Sequence, residues 1–268
     1  MSVVRFERID DVGHIVLCDA PDNKLDRRWT DELRVAVHQA SESDIRALIV
    51  RSEGPDFGTG GAVAEWPGKD VGWFHAFIAE NIQAFNAIEA LRVPTIAAVR
   101  GKAMGGHFEL VLHCDLIVTA TDATFLAVEA YTAMTQLAGG LQRLADRVGR
   151  NRAAQLVMLA EPLSGQMAGE IGLACRVVAG DEVDAVARQL AERLAAGPTL
   201  AHGATRALLK AWQSGGVAGA DALQLDLTMR LFQSDDAQRA FLALKETIET
   251  GGDKSENGPW TQIGFSNR

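Results

Sequence analysis

Short apolar runs alternate with helix-spaced apolar positions through the first half of the chain. Residues 3–8 alternate apolar and polar side chains, which is typical of a half-buried strand. The runs that begin at Ala47, Thr95 and Leu116 are short and continuous, which predicts strands buried on both faces. Between the first two of these runs, the apolar residues of 74–91 recur at helical spacing. This alternation predicts an α/β core with largely buried strands.

Three further elements are predicted in this half. Residues 15–17 form a second N-terminal strand, and a helix begins at about Thr30 after the turn sequence DAPDN. The segment TFLAVEA, residues 124–130, is apolar except for one glutamate and is predicted to be a strand.

The pattern changes at about Asp181, beyond which strand-like runs give way to Ala, Leu, Arg and Glu at helical spacing. Gly197 and Pro198 interrupt this helical stretch, and further helices are predicted to cover 208–212, 222–232 and 237–248. The tail from residue 251 is rich in Gly, Asp, Ser and Asn and is predicted to be flexible. We therefore divide the chain into an α/β core, residues 1–195, and a helical C-terminal region, residues 196–268.

Composition and charge exclude several classes of protein. The 268 residues are 47% hydrophobic, which is ordinary for a globular chain, and the formal net charge is −9. That charge argues against a nucleic-acid partner, since such surfaces need clustered positive charge. The three cysteines match no metal or redox spacing, and no apolar run reaches the roughly 18 residues of a membrane span. We expect a reduced, cytoplasmic protein with no membrane attachment.

Common cofactor and hydrolase motifs are not found. Residues 58–61, GTGG, lack the third glycine of a dinucleotide loop, and neither a phosphate-binding P-loop nor G-x-S-x-G occurs. His107 and His113 are six residues apart, whereas the zinc motif H-E-x-x-H places its histidines four apart. We therefore expect neither a metal nor a bound cofactor.

Two glycine-rich loops and two glutamates remain as candidate chemistry. The loops, 54–61 and 105–106, each follow a buried strand, so their backbone N–H groups can face a ligand that carries negative charge. Tight turns would explain the glycines equally well. Glu109 is either a helix-capping residue or catalytic, and Glu129 is either a strand-end surface residue or a buried carboxylate. A pair of carboxylates in an apolar setting favours general acid–base chemistry.

The same segments resemble the crotonase (enoyl-CoA hydratase/isomerase) superfamily. PTIAAVRGKAMGGHFELVLHCDLIVTATDATFLAVEA is similar to its signature region, and ALIVRSEGPDFGTGGAVAEW is similar to its first oxyanion loop. PDNKLD matches the N-terminal pattern, and the resemblance is continuous over about residues 3–180. It implies a spiral of ββα units with a C-terminal α-helical trimerisation region. It also implies an acyl-CoA substrate and a homotrimer or hexamer.

The resemblance implies a role for particular residues. The backbone N–H groups of Gly61 and Gly106 would stabilise a thioester enolate, and Glu109 and Glu129 would act as the acid–base pair. Neither a metal nor a cofactor is implied beyond the coenzyme A of the substrate. The implied substrate-binding positions are Thr59, Val63, Trp66 and Leu137.

The chain also departs from the family pattern. Ala62 replaces the usual aspartate, His107 and Phe108 follow two glycines where a third is common, and Leu137 replaces a glycine near the catalytic water. Retention of Glu109 favours an enoyl-CoA hydratase. A double-bond isomerase, a thioester or C–C bond hydrolase, and a non-catalytic acyl-CoA-binding or RNA-binding relative remain alternatives, although the net charge opposes RNA binding.

Overall fold

A computed structural model describes residues 2–253, 255 and 263–266. The chain divides into two compact units. The larger comprises Met1–Leu91 and Thr95–Glu192, and the smaller comprises Arg92–Pro94 and Arg193–Arg268. The assignment of acyl-CoA binding to residues 1–195 and of oligomerisation to residues 196–268 stays a prediction.

Nine strands form two sheets within the described residues. In chain order they are β1 (Val4–Ile9), β2 (Val12–Leu17), β3 (Ala47–Ser52), β4 (Thr95–Val99), β5 (Lys102–Met104), β6 (Leu116–Ala120), β7 (Thr124–Leu126), β8 (Leu163–Ser164) and β9 (Arg176–Val178). The larger sheet has the order β1-β2-β3-β4-β6-β9, and the smaller has the order β5-β7-β8.

Helices alternate with the strands in the first part of the chain and are the main elements of the C-terminal part. They are α1 (Arg27–Glu42), α2 (Val71–Ala90), α3 (Gly106–Leu112), α4 (Gly140–Val148), α5 (Arg150–Met158), α6 (Gly165–Glu170), α7 (Val183–Ala196), α8 (Thr199–Phe232) and α9 (Asp235–Glu249). The order β1-β2-α1, then β4-β5-α3, then β6-β7-α4 repeats a ββα unit, which confirms the predicted architecture.

The larger sheet carries the core. Strand β1 pairs antiparallel with β2, and the pairings from β2 through β3, β4 and β6 to β9 are parallel. Every residue of β2 and β4 is buried, as expected for strands covered by helices on both faces. The continuous apolar runs at Ala47, Thr95 and Leu116 are therefore confirmed as buried strands.

Helix α1 begins earlier than the sequence pattern predicts. Its first residue is Arg27 rather than Thr30, because the Asp26 carboxylate accepts a hydrogen bond from the Trp29 N–H at 2.7 Å and caps the first turn. The Trp29 side chain is fully buried, which brings the start of the helix down onto the core. The start of α1 is therefore set by the capping residue Asp26 and not by the first apolar position of the helical pattern.

The prediction of one strand across residues 124–130 is wrong in its second half. Strand β7 ends at Leu126, and Val128–Thr132 forms a 3₁₀ helix that contains Glu129. The partner strand β5 ends at Met104, because the next residue, Gly105, turns the chain with φ of +52°. The other partner strand, β8, pairs only with Thr124 and Phe125, so neither neighbour extends the sheet beyond Leu126. The short edge strands β8 and β9 were not predicted.

Residues 193–249 of the smaller unit are almost entirely helical. The two helices predicted at 208–212 and 222–232 belong to α8, which is interrupted by a non-helical backbone at Gly216. Helix α9 begins after Ser234, whose hydroxyl accepts a hydrogen bond from the Ala237 N–H at 3.2 Å. Most of the tail predicted to be flexible lies outside the described residues.

Several apolar side chains on α8 and α9 are exposed to solvent in the single chain. They include Leu209, Trp212, Leu225, Met229, Phe232 and Phe241. The predicted homotrimer or hexamer would cover such side chains, but the oligomeric state stays a prediction. None of the described helices has the length and hydropathy needed to cross a membrane.

A buried asparagine joins the N-terminal segment to the first glycine-rich loop. Asn23 is fully buried, accepts a hydrogen bond from the Asp19 N–H at 2.8 Å and donates one to the Ser52 hydroxyl at 2.8 Å. Its amide also lies 3.3 Å from the carbonyl oxygens of Asp56 and Phe57, at the start of the loop. Its φ is +48°, a backbone conformation that asparagine tolerates better than most residues.

We expect Asn23→Ala to lower the free energy of unfolding by about 2–4 kcal/mol, because it removes several buried hydrogen bonds at a left-handed position. Asn23→Asp keeps the size and the acceptor for Asp19 but replaces the donor group with an oxygen that faces two carbonyls, so it should also destabilise the fold. Urea titration of the three proteins measures both effects. Wild-type stability of the Asp variant would show that the donated hydrogen bonds contribute nothing.

Candidate active site

A pocket in the larger unit collects residues from both glycine-rich loops and from helix α2. Its volume is about 590 Å³, including the space at its mouth. The residues that line it are Leu25, Gly61, Val63, Trp66, Phe77, Ile78, Asn81, Phe85, Gly105, Gly106, Glu109, Val128, Glu129, Thr132, Met134, Leu137 and Ala138. The lining is mainly apolar, with two carboxyl groups, one amide and one hydroxyl side chain, as is usual for a small-molecule site.

The first glycine-rich loop presents a free backbone donor to this pocket. The Gly60 carbonyl accepts a hydrogen bond from the Leu25 N–H at 2.9 Å. The Gly60–Gly61 peptide is trans, so the Gly61 N–H points away from the Leu25 N–H. Among the described residues the Gly61 N–H has no protein acceptor. It is therefore available to a ligand atom in the pocket.

The second loop presents a similar donor. Gly106 is the first residue of α3, so its N–H has no partner within the helix, and none is found elsewhere in the described structure. The preceding Gly105 has positive φ, and a Cβ atom there would lie 3.2 Å from Oε1 of Glu129. The positive φ favours glycine at 105, and a Cβ atom there would also crowd the neighbouring carboxyl group.

Apolar side chains cover both donor positions. A Cβ atom on Gly61 would lie 2.8 Å from the indole ring of Trp66, and one on Gly106 would lie 2.9 Å from Cδ1 of Leu25. Glycine at each position lets these side chains pack directly on the backbone. Donors with apolar surroundings interact more strongly with developing charge than donors in water do.

Glu109 is a buried carboxylate held by backbone donors from another segment. It is 1% exposed, and its Oε1 accepts a hydrogen bond from the Leu137 N–H at 3.0 Å. Its Oε2 accepts from the N–H groups of Ala138 at 2.7 Å and Gly140 at 2.8 Å. Burial raises the pKa of Glu109, while the three N–H groups favour its ionised form and oppose that rise. Glu109 thus caps the start of α4, rather than its own helix.

Glu129 lies in the 3₁₀ helix and is much less well satisfied. It is 6% exposed, and its Oε2 has no hydrogen-bond partner in the described part of the chain. Burial raises the pKa of Glu129 to about 7, and the nearby negative charge of Glu109 adds to the rise. Burial thus raises the pKa of both carboxyl groups, and the two differ in their partners: Glu109 accepts hydrogen bonds from three backbone N–H groups, whereas Oε2 of Glu129 accepts none within the described residues.

One end of the pocket is aromatic and apolar. The Trp66 ring contacts Phe77 edge-on, with centroids 6.2 Å apart, and Trp73 stacks on Phe77 from another side at 5.5 Å. The buried Asn81 is held there by the Thr30 hydroxyl at 3.0 Å and by its own hydrogen bond to the Phe77 carbonyl at 2.8 Å. This end suits an apolar ligand group.

The structure brings together seven of the eight residues singled out from the sequence. Gly61, Gly106, Glu109, Glu129, Val63, Trp66 and Leu137 all line the pocket. Thr59 is not among the lining residues within the described structure, because the backbone places it against Asp22, whose carbonyl accepts from both the Thr59 N–H and hydroxyl. The catalytic and binding roles of all eight stay predictions.

Sequence reasoning missed the groups that hold Glu109 and the aromatic end of the pocket. The three N–H donors at 137–140 carry no side-chain signal, so no motif could identify them. Phe77 and Asn81 lie four residues apart on α2, one helical turn, and that spacing would have placed them on one face. No cluster of three or more potential metal ligands is found among the described residues, and the expectation of a metal-free site stays a prediction.

The two unpaired N–H groups and the carboxyl pair, set on repeated ββα units, correspond to the site implied by the crotonase resemblance. A profile of the family described as enoyl-CoA hydratase/isomerase matches residues 7–251, which is nearly the whole chain. The chain belongs to this family, within the crotonase superfamily.

Individual relatives agree with this assignment. The mitochondrial methylglutaconyl-CoA hydratase of Rattus norvegicus is 34% identical over 234 residues, covering 84% of this chain and 73% of the relative. The probable enoyl-CoA hydratase echA8 of Mycobacterium bovis is 31% identical over 193 residues, covering 71% and 74%. An enoyl-CoA hydratase structure from Geobacillus kaustophilus superimposes with a TM-score of 0.89 over 100% of this chain and 98% of its own. At 23% identity, that likeness shows the fold.

The raised pKa of Glu129 predicts a pH-dependent difference in stability between wild type and Glu129→Gln. Between pH 4.5 and about 7 the unfolded chain loses a proton that the folded chain keeps, so wild-type stability falls as pH rises. A shift from 4.5 to about 7 corresponds to on the order of 3 kcal/mol. Glutamine does not titrate, so the variant should gain on wild type by this amount and the gain should level off above pH 7. Urea titrations across this range measure it.

Glu32 provides a control of opposite sign. Burial would raise its pKa, but hydrogen bonds from the Ser2 hydroxyl, from the N–H groups of Val4 and Val3 and from the Arg28 guanidinium outweigh it and lower the pKa of Glu32 to about 2. Glu32→Gln should therefore be less stable than wild type at neutral pH, with the deficit shrinking as pH falls towards 2. A Glu129→Gln curve parallel to wild type at every pH would contradict the raised pKa.

Glu109→Gln should destabilise the protein, in contrast to Glu129→Gln at pH 8. The amide nitrogen of glutamine would face at least one of the backbone donors of Leu137, Ala138 and Gly140, and an unsatisfied buried N–H costs about 1–3 kcal/mol. Hydrogen exchange should become faster than in wild type at Leu137 where the nitrogen replaces Oε1, or at Ala138 and Gly140 where it replaces Oε2. Unchanged exchange at all three amides would mean that the Glu109 carboxylate does not hold this segment.

Proposed function

We propose that the protein hydrates a 2-enoyl-CoA thioester. The observation that carries the proposal is the pairing of an amide-capped carboxylate, Glu109, with a proton-retaining carboxyl group, Glu129, in a pocket that also holds two unpaired backbone donors. Hydration needs a base, an acid and a stabilised enolate, and this pocket offers a group for each.

The two backbone donors would bind the thioester oxygen. As water adds to C3, negative charge moves onto that oxygen, and the N–H groups of Gly61 and Gly106 would stabilise it. Loss of one such donor typically costs about 10²–10³ in rate. The Trp66 and Leu25 side chains, packed on the two glycines, would keep the oxyanion away from bulk water.

The carboxyl groups would divide the proton transfers between them. The Glu109 carboxylate would take a proton from water while the water oxygen bonds to C3. The Glu129 carboxylic acid would then give its proton to C2 as the enolate collapses to the thioester. Burial raises the pKa of both groups, and the assignment is supported by the three backbone donors, which favour the ionised form of Glu109, and by the pKa of about 7 at Glu129.

Glu109 retains the capacity to accept one further hydrogen bond. A carboxylate has about four lone-pair sites, and the three backbone donors leave one of them, on Oε1, available to a water proton. The Leu137 N–H bonds to the same oxygen. The proposed water would therefore lie beside Leu137, between Oε1 and the substrate.

The acyl group would occupy the apolar end of the pocket. Trp66, Phe77 and Ile78 offer a surface for hydrophobic or aromatic acyl chains, and Val63 extends it. Coenzyme A enters as part of the substrate, and the reaction changes no oxidation state that would require a redox cofactor. The cytoplasmic location and the homotrimer or hexamer stay predictions.

A double-bond isomerase is the second candidate, and the Leu137 side chain favours it. That side chain lines the pocket beside the proposed water position, and Glu109 already accepts three hydrogen bonds. If no water enters, Glu129 alone could move a proton between two carbons of the acyl chain, with the same donors stabilising the enolate.

A panel of trans-2-enoyl-CoA thioesters with short, long and aromatic acyl groups tests the proposal. We expect loss of the conjugated thioester absorbance and a product heavier by one water. Glu109→Gln and Glu129→Gln should each lower kcat by about 10²–10⁴, because each removes a general acid–base group.

Glu32→Gln is the matched control, because Glu32 is also hydrogen-bonded to backbone N–H groups but lies outside the pocket lining. It should keep wild-type kcat. Full activity in both pocket variants would overturn the proposed roles. A product with unchanged mass and a moved double bond would identify the isomerase instead.

A further inference from the structure

His107 connects the two glycine-rich loops through its side chain. It follows Gly106 on α3, and its Nδ1 accepts a hydrogen bond from the Gly60 N–H at 3.2 Å. The ring is fully buried and packs edge-on against Trp29, with centroids 5.0 Å apart, and against Phe57 at 6.3 Å. His107 thus adjoins Gly106, one proposed oxyanion donor, and its side chain bonds to Gly60, which adjoins Gly61, the other proposed donor.

The first loop is shaped to receive this ring. A Cβ atom on Gly58 would lie 2.2 Å from Cδ2 of His107, so only glycine leaves room for the imidazole at its observed position. The backbone of Gly58 is also engaged, since its N–H bonds to the Lys102 carbonyl at 2.8 Å. Neither the ring nor the loop can shift without disturbing the other.

The hydrogen bond from the Gly60 N–H to His107 fixes the backbone next to the Gly61 N–H, the proposed oxyanion donor. Gly60 is held on both sides, with its N–H on His107 and its carbonyl on the Leu25 N–H at 2.9 Å. The carbonyl belongs to the same peptide plane as the Gly61 N–H, so the two bonds together set the direction of that N–H. Gly60 has a φ of +96°, and because glycine is free to adopt many backbone conformations, this peptide depends on hydrogen bonds to neighbouring groups to stay in place.

We propose that His107 is a positioning residue for both oxyanion donors: its imidazole holds the Gly60 peptide, and its backbone adjoins Gly106, so one side chain sets the relation between the Gly61 and Gly106 N–H groups. The inference rests on the proposed function, because it assigns the two donors to a thioester oxygen. It concerns a residue that departs from the family pattern rather than one carried over from it.

The ring works in its neutral form. An N–H donor at Gly60 requires an unprotonated Nδ1, so the proton is on Nε2, which has no partner among the described residues. Complete burial lowers the pKa of His107 to about 3. The support for the loop is therefore constant over the pH range in which Glu129 titrates.

A bound acyl-CoA with a chromophoric, ring-substituted cinnamoyl group tests the inference without turnover. Donors on the thioester oxygen polarise the conjugated carbonyl, which shifts its absorbance to longer wavelength and lowers its C=O stretching frequency. His107→Leu removes the acceptor and should reduce both shifts. With substrate it should lower kcat by about tenfold to a hundredfold while KM changes much less, since small misplacement of reacting groups has effects of this size.

Two further variants separate positioning from packing. His107→Asn can place its side-chain oxygen where Nδ1 lies and should restore most of the shift, whereas His107→Gln extends that oxygen beyond it and should not. Gly58→Ala keeps the histidine but displaces its ring, so it should resemble His107→Leu. These comparisons remain informative if the leucine variant does not fold.

His14→Leu is the matched control, because His14 is another buried histidine in the same unit but outside the pocket lining. It should leave the carbonyl shift and kcat unchanged. A full shift and full kcat in His107→Leu, or equal behaviour of the Asn and Gln variants, would overturn the positioning role. A wild-type protein that binds the probe with no carbonyl shift would overturn the proposed oxyanion site itself, and the inference with it.

Discussion

A buried carboxyl group with three backbone donors organises the site. The Glu109 carboxylate has almost no contact with water, so the surrounding chain must supply its hydrogen bonds. The segment that does so, residues 137–140, leads directly into α4. The same bonds therefore join α3 to α4 and hold the carboxylate in the pocket. Stability and chemistry depend here on one set of contacts, because burying an ionised carboxylate without such donors carries a large cost.

The other polar parts of the pocket are backbone groups rather than side chains. Glycines at 61 and 106 allow Trp66 and Leu25 to pack on the chain, so the free N–H groups face an apolar space. Dipoles fixed in this way need little reorganisation when charge develops nearby, which is the main source of electrostatic catalysis. The fold supplies this rigidity through Asn23, which anchors the start of the first loop.

The sequence was sufficient to predict the parts of the molecule that depend on side-chain pattern. Buried parallel strands leave continuous apolar runs, and glycine-rich loops are visible by composition. The boundaries that failed depend on backbone pairing: residues 127–130 looked like a strand, but β5 ends too early to pair with them. Thr59 failed for a similar reason, since the Asp22 carbonyl holds it away from the pocket. The cap on Glu109 was invisible because it consists entirely of main-chain groups.

The close fit of Gly58 and His107 also limits which substitutions this site can accept. A methyl group at 58 cannot be added first, because it would collide with the imidazole. The histidine can be lost first, but then the Gly60 N–H is left without its acceptor until another group replaces it. Replacement of both residues therefore has to begin with His107, and the intermediate lacks the hydrogen bond that holds the Gly60 N–H. A third glycine in place of His107 would therefore restore the family pattern only at the expense of the hydrogen bond that holds the Gly60 N–H.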